Sequence, residues 1–368
     1  MPTPEPRPPE AGGGSSIPEK AGASRGTPWQ PANRFERLHL EPDPDSDLDP
    51  AEEPARRTEF LRDASVGVIS RNDSPDIPFR VSLNPYRGCE HGCAYCYARP
   101  THEYLGFSSG LDFESRILVK ERAPELLRAE LAGSAWEPQW LALSGVTDPY
   151  QPVERKLLLT RRCLEVLAEF RHPVGIVTKN GLVARDVDLL AELARHGAVS
   201  VAVSLTTLDT GLRRVLEPRT SPPAARLAAI RTLTQAGVPV GVMLAPIIPA
   251  VNDHEIPALL KAAREAGAGW AAYVLLRLPH AVKDLFGAWL ERHFPERRDK
   301  VLHQLQAMRG GRLNDPRFGD RMVGEGLMAN QTAQLFHAAR RRVGLEERGP
   351  ELSTAAFRRP GGRQLPLL

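Results

Sequence analysis

The sequence predicts an α/β fold built on a parallel sheet, and three observations carry that expectation. First, five runs are almost continuously apolar: Trp140–Val146, Val174–Thr178, Val199–Leu205, Val238–Ala245 and Trp270–Leu276. A strand covered on both faces has no polar side to show, so such runs are expected of buried parallel strands. Second, amphipathic stretches separate them: Lys156–Phe170, Arg185–Arg195, Pro223–Ala236 and Asp253–Ala266. Gly197, Gly237 and Gly267 stand where these helices should stop, because glycine enters the left-handed conformation that ends a helix. Third, polar or special residues follow strand after strand: Thr147-Asp148, Thr178-Lys179-Asn180, Ser204 with Thr206-Thr207, Pro246 onward, and Arg277. Active sites of α/β barrels are built on that rim, which favours a barrel over an open sheet.

The remaining segments follow in order. Residues 1–54 hold twelve prolines, the stretch Gly12-Gly13-Gly14-Ser15-Ser16 and an acidic run from Glu41 to Glu53. Little apolar surface is available there to offset chain entropy, so residues 1–60 are expected to form a disordered tail, with order beginning near Asn33-Arg34-Phe35. The core is expected over 70–300, a helical Arg-rich extension over 301–345, and a flexible Gly/Pro/Arg tail over 346–368. Hydrophobic residues at 42% and charged residues at 25% fit a globular chain. No apolar run approaches a membrane span and no secretory signal opens the sequence, so a cytoplasmic location is expected. The net charge of +3 neither demands nor excludes a nucleic-acid partner.

The chemistry is carried by Asn84-Pro85-Tyr86-Arg87-Gly88-Cys89-Glu90-His91-Gly92-Cys93-Ala94-Tyr95-Cys96. Three of the four cysteines fall in this C-x3-C-x2-C loop. Three thiolates on one loop can hold three irons of a four-iron cube and leave the fourth open to substrate or cofactor. The competing structural reading is a zinc site completed by His91 or His102, but no second cysteine knuckle exists to pair with the first. Cys163 lies within a helical stretch and is expected to be a buried apolar thiol.

The loop, with Tyr95 before its last cysteine, resembles the signature of the radical S-adenosylmethionine (SAM) superfamily. The resemblance implies a partial (β/α)6 TIM-like barrel, a 4Fe–4S cluster on Cys89, Cys93 and Cys96, and SAM on the open iron. It also implies reductive cleavage of SAM to a 5′-deoxyadenosyl radical, with electrons from a flavodoxin- or ferredoxin-type donor. Further motifs, SGVTDPYQPVE, VTKNG, VSLTTLD, EPRTSPPAARLAAIRTL and PVGVMLAPIIPAVND, resemble a bacterial group related to spore photoproduct lyase, over about Ser70–Leu278. On that likeness Lys179 and Ser204 would hold the carboxylate and amine of SAM, with Thr147 and Asp148 offering polar groups to the amine. Glu217 would face the ribose hydroxyls and Asn252 the adenine. Plain capping is the alternative for residues such as Asp148, Asn180 and Ser221.

The chain departs from the family in one place. Those lyases carry a cysteine hydrogen donor just before the Thr/Ser-Asp pair, whereas here the run Leu143-Ser144-Gly145-Val146-Thr147-Asp148 has none. Tyr95, Tyr150 or Cys163 would have to substitute, so repair of spore photoproduct itself is not expected. The catalytic residues are therefore left unassigned. The scarcity of cysteines also argues against members that use a second cluster. At the C-terminus Gln364-Leu365-Pro366-Leu367-Leu368 resembles the peptide by which repair proteins dock on the DNA sliding clamp, with Leu368 in place of the usual phenylalanine. Arg340-Arg341-Arg342 could touch phosphates. The expected function is radical SAM chemistry on DNA or RNA, lyase-like in type. The alternatives are a radical SAM enzyme acting on a protein or small molecule, and a non-catalytic metal-binding adaptor of the clamp.

Overall fold

The computed structural model describes residues 25–27, 29–35 and 57–360. Its strands are β1 (Glu59–Arg62), β2 (Ile69–Arg71), β3 (Val81–Leu83), β4 (Tyr86–Arg87), β5 (Arg116–Val119), β6 (Leu141–Leu143), β7 (Val174–Thr178), β8 (Val199–Ser204), β9 (Val240–Ile247) and β10 (Trp270–Leu275). The main sheet runs in the order β10-β9-β8-β7-β6-β3-β2. Every pairing from β3 to β10 is parallel and only β2 runs antiparallel, at the edge. Six parallel strands in chain order make the partial (β/α)6 barrel. A small second sheet, β1-β5-β4, lies beside it, and β4 feeds directly into the cysteine loop.

Helices cover the outer face where the sequence is amphipathic: Leu159–Phe170, Val187–Arg195, Pro223–Gln235 and Ile256–Glu265. Leu164, Leu167, Leu190, Leu193, Ile230, Leu233, Leu259 and Leu260 from these helices are buried with the strand residues Leu141, Val174, Val201 and Val242 in one core. Gly197, Gly237 and Gly267 adopt φ of 62°, 78° and 105°, the left-handed stops expected of them. The stretch expected as one helix from Lys156 is broken: Glu154–Leu157 ends at Leu158, φ 52°, and a new helix starts at Leu159. Glu154 explains the break, since its carboxylate accepts the backbone N–H of Thr160 at 2.9 Å and the Tyr86 hydroxyl at 2.5 Å. Cys163 is fully buried in the core, as expected.

Helices Arg298–Ala307 and Gly326–Val343 occupy the region expected to be helical. The segment expected as a flexible tail over 346–368 is packed as far as it is described. The Ser353 N–H donates to Gly197 O at 2.9 Å and the Arg358 N–H to Phe170 O at 3.0 Å. Phe357 lies against Phe170 and His172. The Phe357 ring, these backbone bonds and Arg359, which donates to Trp136 O at 2.6 Å, seat the segment, and composition does not reveal them. The clamp-binding peptide Gln364–Leu368 lies outside the described residues. Arg340 is not available to phosphate: it is buried and donates to Leu345 O at 3.0 Å. Arg341 and Arg342 are exposed. Most of the tail expected over 1–60 also lies outside the described residues, but ordered contacts begin before the expected start at Asn33: Gly26 lies against Gly92 of the cysteine loop, and Gln30 bonds Asp112. Among the described residues no helix is long and apolar enough to cross a membrane.

Candidate metal and cofactor site

The cysteine loop leaves β4 and is stitched to the barrel from several sides. The Cys89 N–H donates to Phe113 O at 2.8 Å and the Ala94 N–H to Leu216 O at 3.0 Å. The Glu90 N–H donates to the Gln151 side chain at 2.9 Å, and the Glu90 carboxylate accepts the Val153 N–H at 2.6 Å and Arg219 at 2.8 Å. Arg99, fully buried, forks onto Cys93 O at 3.1 and 3.0 Å. Cys89 and Cys93 are each 7% exposed. Burial, and then the nearby Glu217 carboxylate, push the Cys93 thiol well above its ordinary value. Burial also raises Cys96, with Arg99 and Lys179 pulling the other way. Buried thiols of this kind lose their protons to a metal rather than to water, which suits a ligand and not a free thiolate.

Gly88 and Gly92 have φ of 82° and 64°. At Gly92 the choice of residue is also steric, because a Cβ would run into the Glu114 carboxylate. That carboxylate is the anchor of the N-terminal segment: it accepts the Gly26 N–H at 2.9 Å, the Thr27 N–H at 3.2 Å and the Thr27 hydroxyl at 3.0 Å, and also pairs with Arg99. Further along, the Asn33 amide donates to Glu103 O and Phe107 O, and Arg34 pairs with Glu103. The segment thus straps the cysteine loop from behind.

Tyr95 turns inward. Its hydroxyl donates to Glu217, a buried carboxylate that also accepts the Thr206 hydroxyl at 2.6 Å and pairs with buried Arg226. Burial alone would raise Glu217, but Arg226 and Lys179 outweigh it and hold the carboxyl at about 2. Lys179, at the end of β7, reaches over the Tyr95 ring with Nζ 5.9 Å from its centroid. Its ammonium has no hydrogen bond or ion pair among the described residues. Burial works to lower its pKa, but Cys93, Glu217 and Asp148 outweigh that and raise it, so the side chain is a cation.

The other residues expected to meet SAM are held by the protein itself. Asp148 accepts the Thr178 hydroxyl and the Lys179 N–H, both at 2.7 Å, and the Tyr150 N–H at 2.9 Å, and faces the His91 imidazole at 3.4 Å. Burial opposes its ionisation, yet His91 and these donors hold it at about 2. The Thr147 hydroxyl donates to Tyr86 O at 2.8 Å and that of Ser204 to Ala245 O at 3.2 Å. Asn252 is fully engaged: it accepts the Ile248 N–H at 2.6 Å and donates to Thr206 O and Pro246 O at 2.8 and 3.0 Å. Asn180 does cap the turn after β7, accepting the Leu182 N–H at 3.0 Å. His91 was weighed only as a zinc ligand. Its place against Asp148 has no local signal, because His91 lies on the cysteine loop and Asp148 follows β6. Arg99, Glu114 and Arg226 were also missed: their partners lie only 6 to 15 residues away, but no helix or strand period links them. Among the described residues no three His, Cys, Asp or Glu side chains converge on a single metal-ion position.

Comparison with known proteins agrees with this geometry. Residues 83–263 match the family model of the Radical SAM superfamily. An uncharacterized protein of Mycobacterium tuberculosis is 41% identical over 222 residues, which is 60% of this chain and 65% of that protein. The chain therefore spans a little under two thirds of that relative. An uncharacterized protein of Methanocaldococcus jannaschii is 30% identical over 174 residues, 47% of this chain and 62% of its own. Among solved structures, spore photoproduct lyase complexed with dinucleoside spore photoproduct superposes with a TM-score of 0.55 at 16% identity, covering 78% of this chain and 81% of the other. With the three-cysteine loop following the first of six parallel strands, residues 83–263 form a radical SAM domain, and the fold is that of spore photoproduct lyase.

Proposed function

We propose that Cys89, Cys93 and Cys96 bind a 4Fe–4S cluster and that the chain uses it to cleave SAM, acting on nucleic acid. The donor set fits the cluster: three thiols on one loop, with the remaining cysteine, Cys163, buried in the main core. The observation that carries the reading is Lys179, whose ammonium lies over the Tyr95 ring of the cysteine loop and has no bonded partner among the described residues. A carboxylate is the group that such a cation accepts. Bound together, the two cofactors supply one-electron cleavage of the sulfonium bond and a radical able to take hydrogen from a substrate.

The chain's own residues supply the framework. Asp148 fixes the backbone of Lys179, so the ammonium is presented from a rigid strand end. Ser204 keeps its hydroxyl at the neighbouring strand end, where exchange of its long bond to Ala245 O for the SAM amine is a small change. Thr147, Glu217 and Asn252 act one step back, holding loops and the Tyr95 ring. A flavodoxin- or ferredoxin-type protein is the electron donor in this reading. The nucleic-acid substrate rests on the fold likeness, since spore photoproduct lyase is solved with a dinucleoside photoproduct bound. Reversal of that photoproduct is not proposed, because no thiol stands at Leu143–Asp148 to quench a substrate radical.

The test is anaerobic reconstitution with iron and sulfide counted, then reduction with SAM and assay of 5′-deoxyadenosine. About four irons per chain, lost in Cys89→Ala, Cys93→Ala and Cys96→Ala together with 5′-deoxyadenosine, is the expected result. Zinc in place of iron, or a cluster that never cleaves SAM, overturns it.

A further inference from the structure

Arg277 stands two residues past the end of β10, on the same rim as Lys179. Its guanidinium lies over the ring of Tyr97 at 5.3 Å, and Tyr97 directly follows Cys96. Nη1 meets only the Met322 sulfur, at 3.4 Å, and Nε is buried with no hydrogen-bond partner among the described residues. No carboxylate pairs with it there. Its basic neighbours are already engaged. Arg309 donates to Leu275 O and Leu276 O at 3.2 and 2.6 Å, and Arg321 forks onto Asp76 at 2.6 and 2.5 Å. Arg309 therefore clamps the backbone leading into Arg277, and the one guanidinium with spare donors is the one aimed by a rigid strand end. Burial holds its pKa below the ordinary value, with Arg321 adding to that while Tyr97 and Asp76 pull the other way.

The surroundings are aromatic as well as basic. Tyr97 is 49% exposed with its hydroxyl on Gly145 O at 3.2 Å, and Phe318 is 56% exposed under Arg321 at 4.7 Å. A planar fork matches two oxygens of a phosphate, and exposed rings beside cations are the surface on which unpaired bases stack. We propose that Arg277 and Tyr97 form a subsite for a phosphodiester and adjoining base of single-stranded nucleic acid at the mouth of the barrel. This rests on the functional reading above and names its substrate class.

The test uses the full chain, reconstituted anaerobically, and the fluorescence anisotropy of a short labelled single-stranded DNA across a salt series. Arg277→Gln is expected to weaken binding about tenfold and to make the salt slope shallower by about one unit. Arg277→Lys should restore the slope but only part of the affinity, since it keeps the charge and loses the fork. Tyr97→Leu should weaken binding about fivefold or more with the slope unchanged. Paired Arg341→Gln and Arg342→Gln on the exposed helix end should change neither quantity. Wild-type affinity and slope in Arg277→Gln, or the loss appearing in the Arg341/Arg342 variant instead, overturns the subsite. Iron content and 5′-deoxyadenosine in the wild type report on the radical reading separately. Binding that depends on Arg277 without cluster chemistry sinks that reading and leaves the subsite standing.

Discussion

The Asp148 carboxylate accepts the backbone N–H of Lys179 at 2.7 Å, while the ammonium of the same lysine has no bonded partner among the described residues. One residue expected to touch SAM thus serves to aim another.

Lys179→Met should weaken SAM binding by about tenfold to a hundredfold, the worth of a charge-assisted hydrogen bond, with the iron count unchanged. Equilibrium binding of SAM to the reconstituted protein measures this. Asn252→Ala should act through stability instead, because both ends of its amide are held by backbone. Equal losses of SAM affinity in the two variants would contradict the assignment.

Glu217→Gln should destabilise the fold by about 3 kcal/mol or more, because it leaves Arg226 charged and buried without its partner. Denaturant unfolding is the measurement. A shift below about 0.5 kcal/mol would mean that Arg226 finds another acceptor.

Gly26→Ala should lift the N-terminal segment, since a Cβ there would run into the carbonyl oxygen of Gly92. Faster hydrogen exchange at Thr27 and shorter retention of reconstituted iron are expected. Unchanged exchange would show that the strap does not depend on the Gly26–Gly92 contact.

His172 should make stability fall on the acid side. Burial holds it at about 4, below the ordinary 6.5. The Trp136 indole donates to its Nε2 at 3.1 Å, which only the neutral ring can accept, while Nδ1 lies 3.0 Å from Pro173 O and carries the proton. A folded pKa below the unfolded one means that the stability is complete above pH 6.5 and is lost as pH falls towards about 4, up to about 3 kcal/mol in all. His172→Gln should flatten that part of the unfolding free energy against pH. A parallel curve would exclude the ring as its source.

Much of this was legible in the residues alone, and for local reasons. Val174–Thr178 is a strand at its expected limits because an unbroken apolar run has one way to be buried on both faces. Gly197, Gly237 and Gly267 stop helices because only glycine takes that conformation without cost. The break at Leu158 was not legible, because it is imposed by Glu154 binding Thr160 and Tyr86 rather than by a helix-breaking residue.

The sequence by itself determined the three-thiol loop, five of the six parallel strands and the rim from which Thr147, Asp148, Lys179, Ser204 and Arg277 rise. Those features follow from residue type and period along the chain. Only the tertiary structure decided which of those polar groups are already satisfied. Asp148, Thr147 and Asn252 meet their partners across distant strand ends, Glu217 meets Tyr95 over a gap of 122 residues, and Lys179 and Arg277 are left as cations with donors to spare. Pairing of buried charge is settled by desolvation and proximity in three dimensions, and neither quantity is written in spacing along a chain.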